Sequence, residues 1–171
     1  MMSFNELARK RYSCRSISNK EVEQEKIDKI LEAAMVAPTA VNFQPFKVWV
    51  IRGEKGLENV ASVTGCTFGA PLFFVVGGLA ESAWTRSFDG ENFAAVDASI
   101  VATHMMLAVE DLGLASTWVA NFDAPKLREI YPQMKDYDLV AMFPVGYANP
   151  DAKPSDRHEM SKSKDELVEE L

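Results

Sequence analysis

Arginine and lysine residues gather at two places in a chain that is otherwise acidic, with a formal net charge of -7 at pH 7. One group lies near each end of the chain: Arg9, Lys10, Arg11 and Arg15, then Lys153, Arg157, Lys162 and Lys164. If the fold brings both groups together, they form one compact site for an anion. The alternative is that all eight are solvated surface charges. The overall acidity argues against a nucleic-acid partner, which needs a broad basic surface.

The usual catalytic motifs are absent from the sequence, which has no GxGxxG, Walker loop, GxSxG or HExxH. Its histidines, His104 and His158, have no metal-like spacing, and its cysteines, Cys14 and Cys66, form no CxxC pair. We therefore expect no metal site and no catalytic cysteine. Redox chemistry remains open to such a chain if a bound cofactor carries it.

Two short motifs lie near the start of the chain, one just after the first predicted helix and one at the end of the next. The first is 11–15 (RYSCR), and the second is 37–45 (APTAVNFQP). Together they resemble the start of the FMN-dependent nitroreductase family, in which an Arg-x-Ser-x-Arg/Lys segment holds the flavin. The similarity continues in the family's order along the chain, at 113–118 (GLASTW), 122–123 (FD), 144–147 (PVGY) and 153–155 (KPS).

The resemblance implies FMN as the cofactor and assigns its contacts by position. The residues expected to bind FMN are Arg11, Tyr12, Ser13, Arg15, Pro38, Thr39, Asn42, Gln44, Ala120, Asn121, Lys162 and Lys164. In the family, the segment matching 38–44 reaches the flavin held mainly by the other subunit, and backbone N–H groups near Ala120 face flavin N5. Larger members often carry Glu-Gly there, so a glutamate role does not transfer. Arg157 is a weaker competitor of Lys162 and Lys164 for the phosphate contact, and a solvated tail is the alternative.

The family's fold is an α+β sandwich, with a mostly antiparallel sheet flanked by helices in an intertwined homodimer. The reaction that this implies is ping-pong hydride transfer from NADH or NADPH through FMN N5 to a nitroaromatic, quinone or similar small oxidant. An alternative is a protein that stores or senses FMN without turnover. A third reading is a dimeric interaction module with a vestigial site.

Hydrophobic spacing and turn residues predict a mixed order of helices and strands. Ser18 and Glu21 have capping-box spacing, which predicts a helix start there, and Gly113 and Asp123 are predicted helix caps. Helices are predicted at 4–11, after Ser18 as far as Pro38, at 54–63, at 93–112 and through 127–130; strands, two of them buried, at 46–51, 72–76, 116–120 and 139–143; and a loop or lid at 82–92.

The helix predicted at 93–112 is apolar on nearly every side, because Asp97 is the one charged residue between 92 and 109. Such a helix must be covered all round. A second subunit is one candidate cover, and the core of a monomer is the alternative.

The length of 171 residues predicts a single domain, with 148–171 as an extended arm. No apolar stretch approaches the roughly 18 residues that a membrane span needs, and the start does not resemble a signal peptide, so we expect a cytoplasmic protein. The short 82–92 segment suggests an open pocket, with Trp84, Phe88 and Phe93 as stacking residues for the substrate.

Overall fold

The computed structural model describes residues 2–171 of the chain. Six helices occur in these residues: α1 (Phe4–Lys10), α2 (Gln24–Met35), α3 (Gly53–Ala61), α4 (Ala94–Asp111), α5 (Ala124–Ile130) and α6 (Lys164–Leu167). Four strands occur with them: β1 (Phe46–Arg52), β2 (Leu72–Gly78), β3 (Ala115–Ser116) and β4 (Asp138–Gly146).

The strands form one antiparallel sheet in the order β1-β2-β4-β3. Alternate residues of β2 point to opposite faces. Phe74 packs in a core with α2 and α4, whereas Phe73 packs in a second core with Val60 of α3 and Leu127 of α5. Helices therefore cover both faces, and the predicted α+β architecture with an antiparallel sheet is confirmed.

The run at 46–51 forms a strand as predicted, but the prediction that this strand is buried is wrong. Ile51 is the one buried residue of β1, and Val50 is 38% exposed, because β1 lies at the edge of the sheet. The strand predicted at 116–120 is also too long. Only Ala115–Ser116 is a strand, and Val119 adds a single bridge to Met142. β-Branched and aromatic composition favours a strand without specifying its neighbours.

The predicted capping box at Ser18 and Glu21 is wrong. Helix α2 begins at Gln24, and its N-cap residue Glu23 makes no side-chain capping bond. The Ser18 N–H donates to the Tyr147 carbonyl at 2.7 Å, so this part of the chain is extended along the sheet instead of entering a helix. A pairing partner more than a hundred residues away overrides the local signal.

Two other caps are confirmed. Asp123 Oδ1 accepts from the Lys126 N–H at 3.0 Å at the start of α5. Gly113 has φ +70° just after α4, and the N–H groups of Gly113 and Leu114 bond back to the carbonyls of Glu110 and Val109. This is the pattern of a Schellman motif, which glycine accommodates without strain.

Gly78 brings the start of α4 against the end of β2. A Cβ at Gly78 would lie 2.3 Å from the Ala94 carbonyl oxygen, and that oxygen is backbone, which cannot rotate away. No helix within residues 2–171 is both long and apolar enough to cross a membrane.

Replacing Gly78 with alanine should therefore lower the free energy of unfolding by about 2 to 3 kcal/mol, the usual cost of a forced backbone shift in a packed region. Gly65→Ala is the matched control, because a Cβ there meets nothing within 4 Å. Urea unfolding of the two variants measures the difference. Equal midpoints for Gly78→Ala and Gly65→Ala would contradict the close approach described here.

Candidate active site

Three arginines from opposite ends of the chain line one cavity of about 270 Å³. Its lining residues are Arg11, Tyr12, Ser13, Arg15, Ser155, Arg157 and His158. The predicted convergence of the two basic groups is therefore found, although the second group contributes Arg157 and not its lysines. Guanidinium groups and hydroxyls converging on one concave site are the donors that phosphate oxygens accept from.

Backbone pairing along the sheet edge positions this cavity. The Cys14 N–H donates to the Ser116 carbonyl at 3.0 Å, and Ser13 forms a parallel bridge with Ser116. The Asn149 N–H then donates to the Ser16 carbonyl at 3.1 Å, which holds the start of the C-terminal arm against the same segment. Cys14 is buried in this extended segment, whereas Ser13 and Arg15 on either side of it are not.

The arginines of the cavity have no carboxylate partner in the described residues. Within residues 2–171, Arg11, Arg15 and Arg157 take part in no ion pair. Burial, followed by a hydrogen bond with Cys14, raises the pKa of Tyr12 to about 12, so its hydroxyl stays protonated at neutral pH. The cavity presents positive charge from its arginines together with the hydroxyl groups of Ser13 and Ser155, in a chain whose net charge is -7.

The second predicted segment, 38–44, is a strained surface loop around a 3-10 turn at Ala40–Asn42. Val41, Asn42 and Gln44 have φ values of +53°, +56° and +53°, in the left-handed region that non-glycine residues rarely adopt. The Gln44 side-chain amide donates to Asn42 Oδ1 at 3.2 Å. Both side chains are exposed, so their remaining donors and acceptors face outward.

Contacts with α4 place these two segments far apart within one chain. Lys10, just before the arginine segment, pairs with Glu110 near the carboxyl end of α4, with Nζ and Oε1 3.1 Å apart. The Ala40 N–H donates to Asp97 Oδ1 at 2.8 Å near the amino end. Thirteen residues separate Asp97 from Glu110, which is about 20 Å of helix. The arginine cavity and the 38–44 loop therefore lie toward opposite ends of α4.

Ala120 and Asn121 lie four and five residues after Ser116, which bridges to Ser13 of the arginine segment. Both are exposed, and within residues 2–171 neither N–H donates a hydrogen bond to the chain. The turn is held through its carbonyls, since Thr64 Oγ1 donates to the Asn121 oxygen at 2.7 Å. Two backbone donors are thus left available to a ligand.

The segment 82–92, predicted as a loop or lid, folds back on itself. Thr85 and Asn92 form an antiparallel bridge. The Arg86 guanidinium donates to both carboxylate oxygens of Asp89 at 2.5 to 3.0 Å, which closes the turn.

The three aromatic residues predicted to stack on substrate are part of this turn, at the amino end of α4. Trp84 and Phe93 pack edge to face with ring centroids 5.0 Å apart. Phe88 is 95% exposed at the tip. The structure therefore separates one free aromatic ring from two that pack on each other.

Some predicted site residues are not brought into the arginine cavity. Lys162 and Lys164 are exposed residues of the arm and do not line it. Conversely, Arg157, which the sequence analysis ranks below the lysines as a phosphate ligand, lines the cavity, together with Ser155 and His158, which were not predicted to bind FMN. The ring of His158 packs edge to face on Tyr12, with centroids 6.3 Å apart. The 153–155 motif was the signal that could have pointed to this part of the arm.

The outer face of α4 is left uncovered in the single chain. A shallow depression of about 420 Å³ runs along Ala95, Val96, Ser99, Ile100 and Thr103. A second apolar one, of about 600 Å³, continues it toward α1. Residues 2–171 therefore do not cover α4 on every side, as the prediction required. This face of α4 remains open to contact with another molecule.

A larger cavity, of about 700 Å³, lies between the starts of α2 and α3. Glu21 and Glu54 line it together with Arg52, so its charges oppose one another. The arginine cavity is smaller but carries one sign of charge, and we assign the candidate site to it.

Comparison with known proteins identifies the family. Residues 8–68 and 64–147 match the family model described as the nitroreductase family. The chain belongs to the nitroreductase family. The first match ends, and the second begins, between α3 and β2, so together they span the arginine segment, the 38–44 loop and the whole sheet.

Similar proteins support the assignment of this nitroreductase family member. A solved structure of a nitroreductase family protein from Clostridium difficile 630 is 37% identical, with 98% of each chain covered and a TM-score of 0.91. A relative from Methanothermobacter thermautotrophicus is 28% identical over 153 residues, covering 85% of this chain and 78% of the relative. Its name gives NADH dehydrogenase/NAD(P)H nitroreductase as its provisional activity. This nitroreductase family member is an enzyme of the oxidoreductase class.

A further solved structure shares the fold and was determined in complex with FMN. It comes from Desulfovibrio desulfuricans, is 23% identical, and covers 96% of this chain and 94% of its own, with a TM-score of 0.81. At this identity the likeness concerns the fold of the nitroreductase family alone.

Proposed function

We propose that this chain is an FMN-dependent NAD(P)H oxidoreductase that acts as a homodimer, with each flavin site shared between two copies. The observation that carries the proposal is the cavity of three arginines without carboxylate partners. The phosphate of FMN is a dianion, and charge-assisted hydrogen bonds from arginine are its strongest protein ligands. The donor set of Ser13, Ser155 and the arginines therefore fits the phosphate end of FMN.

The two ends of α4 explain why a second copy is needed. One chain presents the arginine cavity and the exposed amides of Asn42 and Gln44 about 20 Å apart along α4. Antiparallel packing of α4 against its copy would set the amino end of one helix beside the carboxyl end of the other. The loop of one copy then lies next to the arginine cavity of its partner.

The open face of α4 has the composition for this packing. Val96 is 42% exposed, and its neighbours along the depression are the small or apolar Ala95, Ser99 and Ile100. Small residues let two helices approach closely, and an exposed apolar face of this kind is costly in a monomer. The arm adds further apolar surface for a copy to cover, since Leu167 and Val168 are each more than half exposed.

The chain's own residues bind and orient, whereas bound FMN supplies the redox chemistry by accepting hydride from NADH or NADPH and passing it to a nitroaromatic or quinone. The arginines neutralise the phosphate and fix one end of the cofactor. The free N–H groups of Ala120 and Asn121 would donate to the ring edge of the bound cofactor. Positive charge near a flavin favours its reduced anionic form.

Substrate access follows from the same packing. The turn that carries Trp84, Phe88 and Phe93 lies at the amino end of α4, and so beside the partner's cavity. Phe88 is the exposed ring, and it can stack on a planar aromatic oxidant, whereas Trp84 and Phe93 pack on each other.

An absorption spectrum of the purified protein, followed by anaerobic addition of NADH and then NADPH, tests the proposal. Bound flavin that bleaches supports the oxidoreductase, and the faster donor identifies its preference. Flavin that stays oxidised with both donors would favour storage or sensing of FMN instead. Colourless protein that cannot be reconstituted with FMN would overturn flavin binding altogether.

Substitutions at Arg157 and Lys164 test which residue of the arm binds the FMN phosphate. The structure favours Arg157, whereas the sequence analysis favours the lysines. Because Arg157 lines the cavity and Lys164 does not, Arg157→Ala should weaken FMN binding by about tenfold or more, and Lys164→Ala by less than about threefold. Quenching of flavin fluorescence on titration of the FMN-free protein measures both. The reverse order would return the phosphate contact to the lysines.

A further inference from the structure

Asp97 is a buried charge in an apolar helix, and the proposed function gives it no part. It is 1% exposed, near the start of α4. Its Oδ1 accepts the Ala40 N–H at 2.8 Å, and its Oδ2 has no hydrogen-bond partner within residues 2–171. A buried carboxylate is expensive unless something compensates for it, and a half-satisfied one calls for an explanation beyond packing.

The partner of Asp97 belongs to the strained loop. Positive φ values at Val41, Asn42 and Gln44 are unfavourable for side chains with a Cβ, so the loop does not adopt this shape from local preference. The N–H groups of Asn42 and Gln44 bond within the loop, to the Thr39 carbonyl and hydroxyl. The far end of the loop is tied to the sheet, since the Phe46 N–H of β1 donates to the Gln44 carbonyl at 2.8 Å. The bond to Asp97 joins the other end, at Ala40, to α4.

The attachment point of the loop is itself fixed. Ala94, one turn before Asp97, lies so close to Gly78 that even a methyl group would not fit between them. The positive end of the α4 dipole also favours a carboxylate in the first turn. Asp97 thus holds Ala40 to a closely packed junction of helix and sheet.

We infer that Asp97 is a positioning residue, which holds the 39–44 loop in its strained shape so that Asn42 and Gln44 are pre-set for the flavin of the second copy. This inference rests on the proposed function. It assigns the Asp97 hydrogen-bond acceptor to ligand binding through the loop, with no direct contact to the ligand. Pre-organisation of this kind raises affinity, because a loop that is already ordered loses little conformational entropy when the ligand binds.

The test compares FMN affinity and amide hydrogen exchange in four variants. Asp97→Ala removes the acceptor, and Asp97→Ser provides a hydroxyl one bond too short to reach Ala40. Asp97→Asn keeps an acceptor oxygen. Val101→Ala is the matched control, since Val101 is fully buried on the same helix and does not contact the loop through a hydrogen bond.

Loss of the acceptor should free the loop before any flavin is added. In FMN-free protein, the amides of Ala40 and Gln44 should exchange at least about tenfold faster in Asp97→Ala and Asp97→Ser than in Val101→Ala. FMN should bind at least about tenfold more weakly to the same two variants, and within about threefold of wild type to Asp97→Asn and Val101→Ala.

Three results would overturn the inference. The first is unchanged exchange at Ala40 and Gln44 in the Asp97 variants, and the second is FMN affinity no lower than that of Val101→Ala. The third is an Asp97→Asn variant as weak as Asp97→Ala, since charge and not the hydrogen bond would then matter. Wild-type protein that binds no FMN would instead overturn the proposed function, and with it the flavin role of the loop.

Discussion

The double substitution Val96→Lys/Thr103→Lys is expected to separate the protein into monomers and to abolish FMN binding at micromolar protein concentration. Neither residue lines the arginine cavity. Both positions are exposed on the open face of α4, so the substitutions leave the core of one chain intact. In the proposed dimer the same positions meet the copy, where like charges in an apolar interface cost several kcal/mol. The FMN site loses its second half when the copies part.

Light scattering on a size-exclusion column measures the mass, and flavin absorbance in the same peak measures binding. Glu129→Lys, an exposed charge reversal on α5 away from this face, is the control and should remain dimeric and yellow. A Val96→Lys/Thr103→Lys variant that elutes as a monomer but still retains FMN would show that one chain suffices. A variant that remains dimeric would place the interface elsewhere.

Arg11→Ala is expected to reduce FMN affinity by about tenfold to a hundredfold while the fold and the dimer are preserved. The guanidinium lies in a cavity with two other arginines and has no carboxylate partner in residues 2–171, so its charge is free for the phosphate. A hydrogen bond to a charged group is worth about 1.5 to 3 kcal/mol, which corresponds to this loss.

Arg9→Ala provides the matched control, because Arg9 lies in the last turn of α1, two residues earlier, and does not line the cavity. Fluorescence titration with FMN and with riboflavin compares the two variants. Because riboflavin lacks the phosphate, Arg11→Ala should affect FMN much more than riboflavin. Equal losses for both ligands would remove Arg11 from the phosphate site.

The local elements of this fold were accessible from the sequence because short-range physics determines them. The spacing of apolar residues located α2 and α4 to within a few residues. The Asp123 side chain caps the start of α5, and the left-handed backbone of Gly113 ends α4, so both caps depend on local structure alone. Ser18 failed as a cap for the opposite reason. Its backbone pairs with Tyr147, and no local pattern contains that information.

In the candidate site, too, some residues could be predicted from local sequence and others depend on distant contacts. The family motif placed Arg11, Ser13 and Arg15, and the structure gathers them in one cavity. The arm is different, because its composition indicates a basic tail without indicating which residue folds back. The bond between Asn149 and Ser16 holds the start of the arm against the arginine segment, and farther along the arm Arg157 lines the cavity whereas Lys162 does not.

A mixed dimer tests the shared flavin site most directly. One copy carries Arg11→Ala, the other carries Asn42→Ala with Gln44→Ala, and different affinity tags isolate the mixed species. In a shared site, the intact arginine cavity of the second copy meets the intact loop of the first, so the mixed dimer should bind one FMN with wild-type affinity while neither parent does. If each site were built within a single chain, both copies would be defective, and a mixed dimer that binds no FMN tightly would contradict the account.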